Sequence, residues 1–430
     1  MSLSRLLTRD DSRPRADSVA RAGGDSAHID ALTGVRALAA LWVVLVHAWI
    51  IAGRPTPMLP LVFTRFDLTP IFRFGWLGVD LFFVLSGFLL TRQAWGKVAR
   101  GAPSGWLSSR FGEGYLSFLR RRVLRVYPAY YATISILLVL ALLHIYRDPP
   151  EKADLLLHLA MLHNMVERYI ESINGVFWSI PFEWQFYLVF PLLFVALRKA
   201  NPFMFYVAFA LLALGTKEWV ITSGNGYMQL QLPIRLDAFV AGMCAATFAE
   251  HRRLQRWPAF AAFTLGLAGL FATPWIYSAY PLGIHYFDAV GLSRPLWIQA
   301  SICLFLLGIS AEPHPGVRLF SNRSTVWLGL ISYSIYLVHV PVLDFLALLG
   351  AYPIRDSGVP ISLMRVILIG VPAVIAVSAL FYYLFERPFQ ASSKRGSARP
   401  GSASGLRLRN PMVILGIWAA VLFAFLVAMT

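Results

Sequence analysis

Arg36 and His47 lie in the run LTGVRALAALWVVLVHAWII, eleven residues apart. At about 100° per helical residue, eleven residues make three turns plus roughly 20°, so both side chains project from one face, about 16 Å apart along the axis. A guanidinium is a permanent cation that grips phosphate through paired hydrogen bonds. An imidazole can serve as general base or as nucleophile. On one stripe the two would line a tunnel, with Arg36 at its mouth and His47 at its reactive end. Two carboxylates are candidates to steady the imidazolium: Asp80 in GVDLFFVLSGFLL and Glu183 in NGVFWSIPFEWQFYLVFPLL. The choice between them stays open at this level.

Arg122 and Arg125, in FLRRRVLRVYPAYY, are helical neighbours suited to phosphate. Ser179, Glu183 and Tyr187 recur one turn apart and can form a polar seam, while Pro181 is expected to weaken the local helix. Trp178 flanks that seam. Ser86 and Gly87 follow Asp80, and Tyr336 precedes His339 in ISYSIYLVHVPV. Plainer readings exist for each: an interfacial anchor for Arg36, interhelical hydrogen bonds for His47 and His339, a buried cation partner for Asp80. Asp237 follows Arg235 closely enough to read as a local ion pair, and Glu386 with Arg387 as a helix-terminal pair.

The elements that must position these groups follow from composition. The 430 residues are 57% hydrophobic and 14% charged, far below the charge a soluble domain carries. The formal charge of +16 would suggest nucleic acid in a soluble chain. Here the basic residues punctuate apolar spans long enough to cross about 30 Å of hydrocarbon, which points to a lipid bilayer and not to nucleic acid. The two cysteines, Cys244 and Cys303, lie in apolar runs and read as buried thiols. The expected fold is an all-α polytopic membrane protein of eleven spans, at about 33–52, 76–92, 126–145, 176–197, 202–216, 234–249, 257–276, 296–310, 328–349, 362–385 and 411–429. Residues 1–32 read as a disordered cytoplasmic tail without a signal peptide, 33–390 as the membrane domain, 391–410 as a basic Ser/Gly linker, and 411–430 as an extra transmembrane helix. With the N-terminus inside, the inner segments hold 25 Lys and Arg against 9 outside, the expected inward bias, and Thr430 ends on the outer side. Charged side chains cost about 2.5–3.5 kcal/mol at mid-membrane, so Arg36, Asp80 and Glu183 need a reason to be there. No zinc spacing, P-loop or nucleophile elbow occurs, and no metal site is expected.

Five blocks occur in order: Arg36-x10-His47; Gly78-Val-Asp-Leu-Phe-Phe-Val-Leu-Ser-Gly87; Arg122-x-x-Arg125; Trp178-Ser-x-x-x-Glu183-x-Gln-Phe-Tyr187; and Ser332-Tyr-x-x-Tyr-Leu-x-His339. This pattern resembles the integral-membrane acyltransferase-3 family over about 33–390. The resemblance implies a ten-helix acyltransferase core, here with a probable eleventh C-terminal helix, in the bacterial cytoplasmic (inner) membrane. It implies transfer of acetyl or another short acyl group from cytoplasmic acyl-coenzyme A to a hydroxyl of a cell-surface or exported glycan. Some members carry a further outer domain of the SGNH-hydrolase type; this chain is similar to the single-domain members, with a separate outer-face partner left open. Pro181-Phe182 replaces the small or valine residues commoner before the glutamate.

On this reading coenzyme A phosphates dock on Arg36, Arg122 and Arg125, His47 is base or acyl acceptor, and Asp80 or Glu183 supports it. Ser86, Ser179, Trp178, Tyr187, Tyr336 and His339 would bind substrate or support the site. Trp76, Tyr280, Tyr286 and Trp297 could stack on a sugar or belong to the interfacial belt. His339-x4-Asp344 matches a spacing of soluble glycerolipid acyltransferases and is discounted as chance, with Pro341 intervening; Gly24-Asp25-Ser26 is similar to the nucleophile block of soluble esterases and is discounted because it lies in the tail read as disordered, with no following fold. A proton-linked transporter or a glycan flippase is the rival class, disfavoured because no internal repeat of broken helices is seen.

Overall fold

The computed structural model describes residues 13–60, 65–99, 111–223, 232–252, 254–279, 293–311, 313–352, 362–393 and 410–428. Helices dominate, because in hydrocarbon every backbone N–H and C=O must be satisfied within the chain. In order they are α1 (Arg13–Ile51), α2 (Thr69–Arg73), α3 (Leu77–Ala99), α4 (Phe111–Leu142), α5 (Lys152–Leu159), α6 (Ile180–Leu197), α7 (Pro202–Ser223), α8 (Leu232–His251), α9 (Arg256–Ala279), α10 (Ser293–Ile309), α11 (Pro315–Ser321), α12 (Arg323–Leu330) and α13 (Ser332–Leu348). A helix interrupted by two π turns (Val366–Gly370 and Tyr382–Glu386) then runs from Leu363 to Ser393 as α14, and Pro411–Ala428 forms α15. A two-stranded antiparallel hairpin, β1 (Met58–Pro60) and β2 (Arg65–Asp67), caps the turn after α1.

Among the described residues, eight helices are long and apolar enough to cross a membrane. The helices α12 and α13 are long and apolar enough only when taken together, and they meet at 69° across Ile331, the geometry of a broken span or a re-entrant loop. Leu296–Ile309 and Pro411–Leu422 are shorter apolar helices at the eighth and eleventh expected spans. The chain is a multi-pass all-α membrane protein. Helix α1 starts at Arg13, so part of the segment expected to be disordered is helical. Gly24-Asp25-Ser26 falls inside α1, Tyr280 and Tyr286 lie outside the described residues, and so does most of the linker.

Two close approaches set the register of the helices that carry the site. A Cβ on Gly87 of α3 would lie 2.0 Å from the Phe239 carbonyl oxygen, and one on Gly242 of α8 would lie 1.9 Å from that of Val84. Only glycine lets these backbones touch, the packing membranes favour where no hydrophobic force drives helices together. Two turns away on the same pair, Arg235 Nη1 lies 3.3 Å from Asp80 Oδ1. Arg235 therefore pairs across the helices and not with Asp237, whose partner is Lys217 of α7 at 3.7 Å. Arg235 and Asp237 are neighbours on one helix, and two residues of separation turn their side chains about 200° apart.

Pro181 also sits differently from its expected place. A 3₁₀ turn, Phe177–Ser179, precedes α6, and Pro181 occupies the helix's first turn, where its missing N–H costs no intrahelical bond. Pro341 is interior to α13 and deprives the Leu337 carbonyl of its donor; Asn174 Nδ2 supplies one at 3.0 Å.

Candidate active site

Three helices, α1, α4 and α13, run in the same direction and carry the site in layers. At the end where they enter, a cleft of about 780 Å³ is lined by Arg36 of α1, Arg122 and Arg125 of α4, Ser86 and Gln93 of α3, and Glu183 and Tyr187 of α6, with Ser332, Tyr333 and Tyr336 closing it from α13. Glu183 Oε1 accepts from Ser86 Oγ at 3.0 Å and from the Tyr187 hydroxyl. Arg122 reaches Gln93 Oε1 at 3.4 Å, and its guanidinium lies 5.3 Å from the ring centres of both Phe118 and Tyr187. Its Nε is buried without a partner.

Glu386 joins this layer. It is 3% exposed, accepts from Ser334 Oγ at 2.8 Å and Gln390 Nε2 at 2.7 Å, and lies within electrostatic reach of Arg36 and Arg125. The helix-terminal pair expected for it does not form; Arg387 instead lies 5.4 Å from the Tyr383 ring centre. The layer thus gathers three guanidiniums and two carboxylates. One positive charge is left over in a confined space, where an uncompensated charge is costly. An anion is what this arrangement can accept.

The next layer is Tyr336, whose hydroxyl meets Ser179 Oγ at 2.6 Å and donates to the Val176 carbonyl at 2.7 Å. Its ring centre is 5.9 Å from that of His339. Trp178 stacks edge-on against Phe182 at 5.9 Å, beside the cleft and not in its lining. The polar seam expected of Ser179, Glu183 and Tyr187 is split: Glu183 and Tyr187 bond each other, and Ser179 turns to Tyr336.

Beyond Tyr336 stand the two imidazoles. His339 is fully buried and its Nδ1 lies 2.8 Å from the Tyr336 carbonyl and 3.1 Å from that of Ile335. That nitrogen must carry the proton, since carbonyls only accept. Its Nε2 is then a lone pair, 3.2 Å from His47 Nδ1. His47 Nδ1 is also 2.8 Å from the Val43 carbonyl, so by the same logic it holds the proton and shares it between Val43 and His339. The hydrogen-bond pattern assigns these tautomers. They leave the lone pair of half-buried His47 on Nε2. Neither Asp80 nor Glu183 bonds an imidazole: Asp80 is held by Arg235, and Glu183 by Ser86 and Tyr187.

The carboxylate within electrostatic reach of His47 is Asp344, a residue of the spacing discounted above. Its Oδ2 accepts from the Tyr146 hydroxyl at 2.7 Å, tying α13 to the segment after α4. A signal for Asp344 did exist: it stands five residues after His339 on a membrane helix, an expensive place for a charge. Among the described residues no group of three or more His, Cys, Asp or Glu is placed to hold a metal ion.

The structure is a helical membrane bundle with an arginine-lined cleft below a pair of imidazoles. The family is settled by comparison: residues 29–383 match the model of the acyltransferase domain family, Acyl_transf_3, and the chain belongs to that family. It is similar to the O-acetyltransferase OatA of Staphylococcus aureus, 24% identical over 378 residues covering 79% of this chain and 57% of the relative. It is also similar to a putative acetyltransferase of Acidianus two-tailed virus, 25% identical over 319 residues covering 74% and 84%. The chain spans little more than half the length of the Staphylococcus relative. No solved structure matches it.

Proposed function

We propose that this protein is a membrane O-acyltransferase that moves an acetyl or other short acyl group from cytosolic acyl-coenzyme A to a hydroxyl of a cell-surface glycan. The observation that carries the reading is the surplus of guanidinium in the cleft, aligned on three parallel helices beneath His47. The donor's phosphates take the surplus charge on Arg36, Arg122 and Arg125, where charge-assisted bonds are strongest. The Lys and Arg bias puts that end of the bundle in the cytoplasm and the N-terminus with it, in a bacterial cytoplasmic membrane. Asp80, paired to Arg235, holds α3 against α8 and acts as a structural support.

The thioester arm passes Tyr336 to reach His47. There Nε2 takes the proton of the incoming hydroxyl, the alkoxide attacks the thioester carbonyl, and the imidazolium returns the proton to the departing thiolate of coenzyme A. His339 fixes the reactive tautomer and Asp344 steadies the transient charge, the division of labour that a third group provides in a nucleophile–base pair. The OatA relative, named an O-acetyltransferase, supports acetyl as the group transferred.

The test is purified protein in nanodiscs given acetyl-coenzyme A and native membranes, with coenzyme A release as the readout. His47→Gln lowers turnover about a hundredfold or more, the worth of a positioned base, while coenzyme A affinity is kept. Full turnover by that variant overturns the base assignment, and uptake of a solute into vesicles without coenzyme A establishes the transporter reading in its place.

A further inference from the structure

At the opposite end of α4 lies a second cleft, of about 800 Å³, between the last two turns of that helix, α5 and the segment that leads to α6. Arg125 and Leu138, on the linings of the two clefts, are thirteen residues apart on α4 and so about 20 Å apart along its axis. The imidazole pair stands between them, because α13 meets the first cleft at Tyr336 and reaches Tyr146 of the second through Asp344. We propose that this second cleft binds the saccharide whose hydroxyl accepts the acyl group. The inference rests on the function proposed above and assigns its acceptor site.

The chemistry of the lining supports a polyhydroxylated ring. The floor is apolar, with Leu137, Leu138, Ala141 and Leu155 all buried, and can take the C–H face of a sugar. The polar part of the lining mixes carboxylates and guanidiniums, Asp148, Glu151 and Asp154 with Arg147 and Arg168. Sugar hydroxyls both donate and accept, so they suit such a mixed lining better than an anion or a cation would. Four of these groups have hydrogen-bond or ion-pair partners. Asp154 is 3% exposed, accepts from Ser172 Oγ at 2.8 Å and pairs with His158 Nδ1 at 2.9 Å. Glu151 accepts from the Tyr169 hydroxyl at 2.7 Å and pairs with Arg168 at 3.2 Å. Arg147 donates to the Ser172 carbonyl at 3.0 Å from a backbone in the left-handed region, at φ 56°. A bulky residue persists there only where its surroundings over-determine it.

The connection to the reaction is the Tyr146–Asp344 hydrogen bond. Tyr146 belongs to the cleft wall, and the carboxylate it holds is the one that acts on His47. A saccharide seated against Tyr146 would present a hydroxyl toward the imidazole layer from the side opposite the donor.

The experiment supplies acetyl-coenzyme A with a radiolabelled acetyl group to native membrane vesicles bearing the protein. It follows base-labile label on saccharide after protease digestion and lipid extraction. Asp148→Asn with Glu151→Gln, and separately Leu138→Trp to fill the floor, are expected to lower transfer about tenfold or more, the scale of losing hydrogen bonds to charged groups. Purified variants should bind coenzyme A with unchanged affinity, which shows that the first cleft and the fold are intact. If wild-type protein transfers label and both variants transfer it equally well, the acceptor assignment is wrong and the enzyme reading stands. Loss of coenzyme A binding together with transfer makes the cleft a structural element and also overturns the assignment. Label found on protein or lipid in place of saccharide overturns the substrate class. Absence of transfer by wild-type protein defeats the proposed function and this inference with it.

Discussion

Glu386→Gln is expected to tighten coenzyme A binding. The variant keeps the shape of the side chain but can accept only one of the two hydrogen bonds that Ser334 and Gln390 donate to the carboxylate, and it changes the charge count of the arginine layer from three guanidiniums against two carboxylates to three against one. At an effective dielectric of about 20, two like unit charges about 8 Å apart repel by about 2 kcal/mol, which sets the scale for a carboxylate in the layer where phosphate would sit. Removing that repulsion lowers Kd by up to about 30-fold. Arg125→Ala changes the count the other way and should raise Kd about tenfold or more. Isothermal titration of coenzyme A into purified protein reads both. Repeating it near 1 M salt, where the screening length falls to about 3 Å, should shrink both effects. Were Glu386→Gln to bind coenzyme A no better than wild type, with Arg125→Ala equally unchanged, the cleft would not be the phosphate site.

Two further outcomes concern stability. Gly242→Ala puts a methyl 1.9 Å from the Val84 carbonyl oxygen and must push α8 off α3, so it should destabilise the protein by about 1–3 kcal/mol and lower its melting temperature in detergent. Gly416→Ala, whose methyl meets nothing within 4 Å, serves as the control, and equal melting temperatures for the two would contradict the packing argument. His163, outside the spans, is held well below the usual histidine pKa of 6.5 by burial and by the His158 ring stacked 3.8 Å away. The folded state therefore keeps it neutral while the unfolded state takes up a proton, so stability is lost as pH falls below about 6.5, by up to about 1.4 kcal/mol per pH unit. His163→Asn should flatten the fall in melting temperature between pH 7 and pH 5, and an unaltered slope refutes the assignment.

What could be read along the chain was whatever a single helix in hydrocarbon dictates. Apolar length marks the crossings and the Lys and Arg bias orients them, since the bilayer leaves the backbone no alternative to helix. Helical repeat alone spaced Arg36 from His47 and set Arg122 beside Arg125. Around the site, what the chain did not reveal was partners. Arg235 was read with its chain neighbour Asp237 but reaches Asp80, 155 residues away. Glu386 reads with Arg387 along the chain but accepts from Ser334 within electrostatic reach of Arg36 and Arg125, and Asp344, discounted by its spacing, bonds Tyr146 across 198 residues. Besides the Val43 carbonyl, the group that meets Nδ1 of His47 is 292 residues distant and is a second histidine, not a carboxylate.

The physical reason is the range of the forces. Periodicity and burial cost act within one helix and are written in its own residues. Which side chain meets which across helices depends on depth and rotation, and those were set where backbones touch, as at Gly87 and Gly242, to within about an ångström. The sequence by itself determined a membrane bundle with a basic mouth and a deep imidazole. Only the tertiary structure decided that α1, α4 and α13 run side by side in one direction, so that a surplus of guanidinium, a pair of histidines and a second cleft lie one above another.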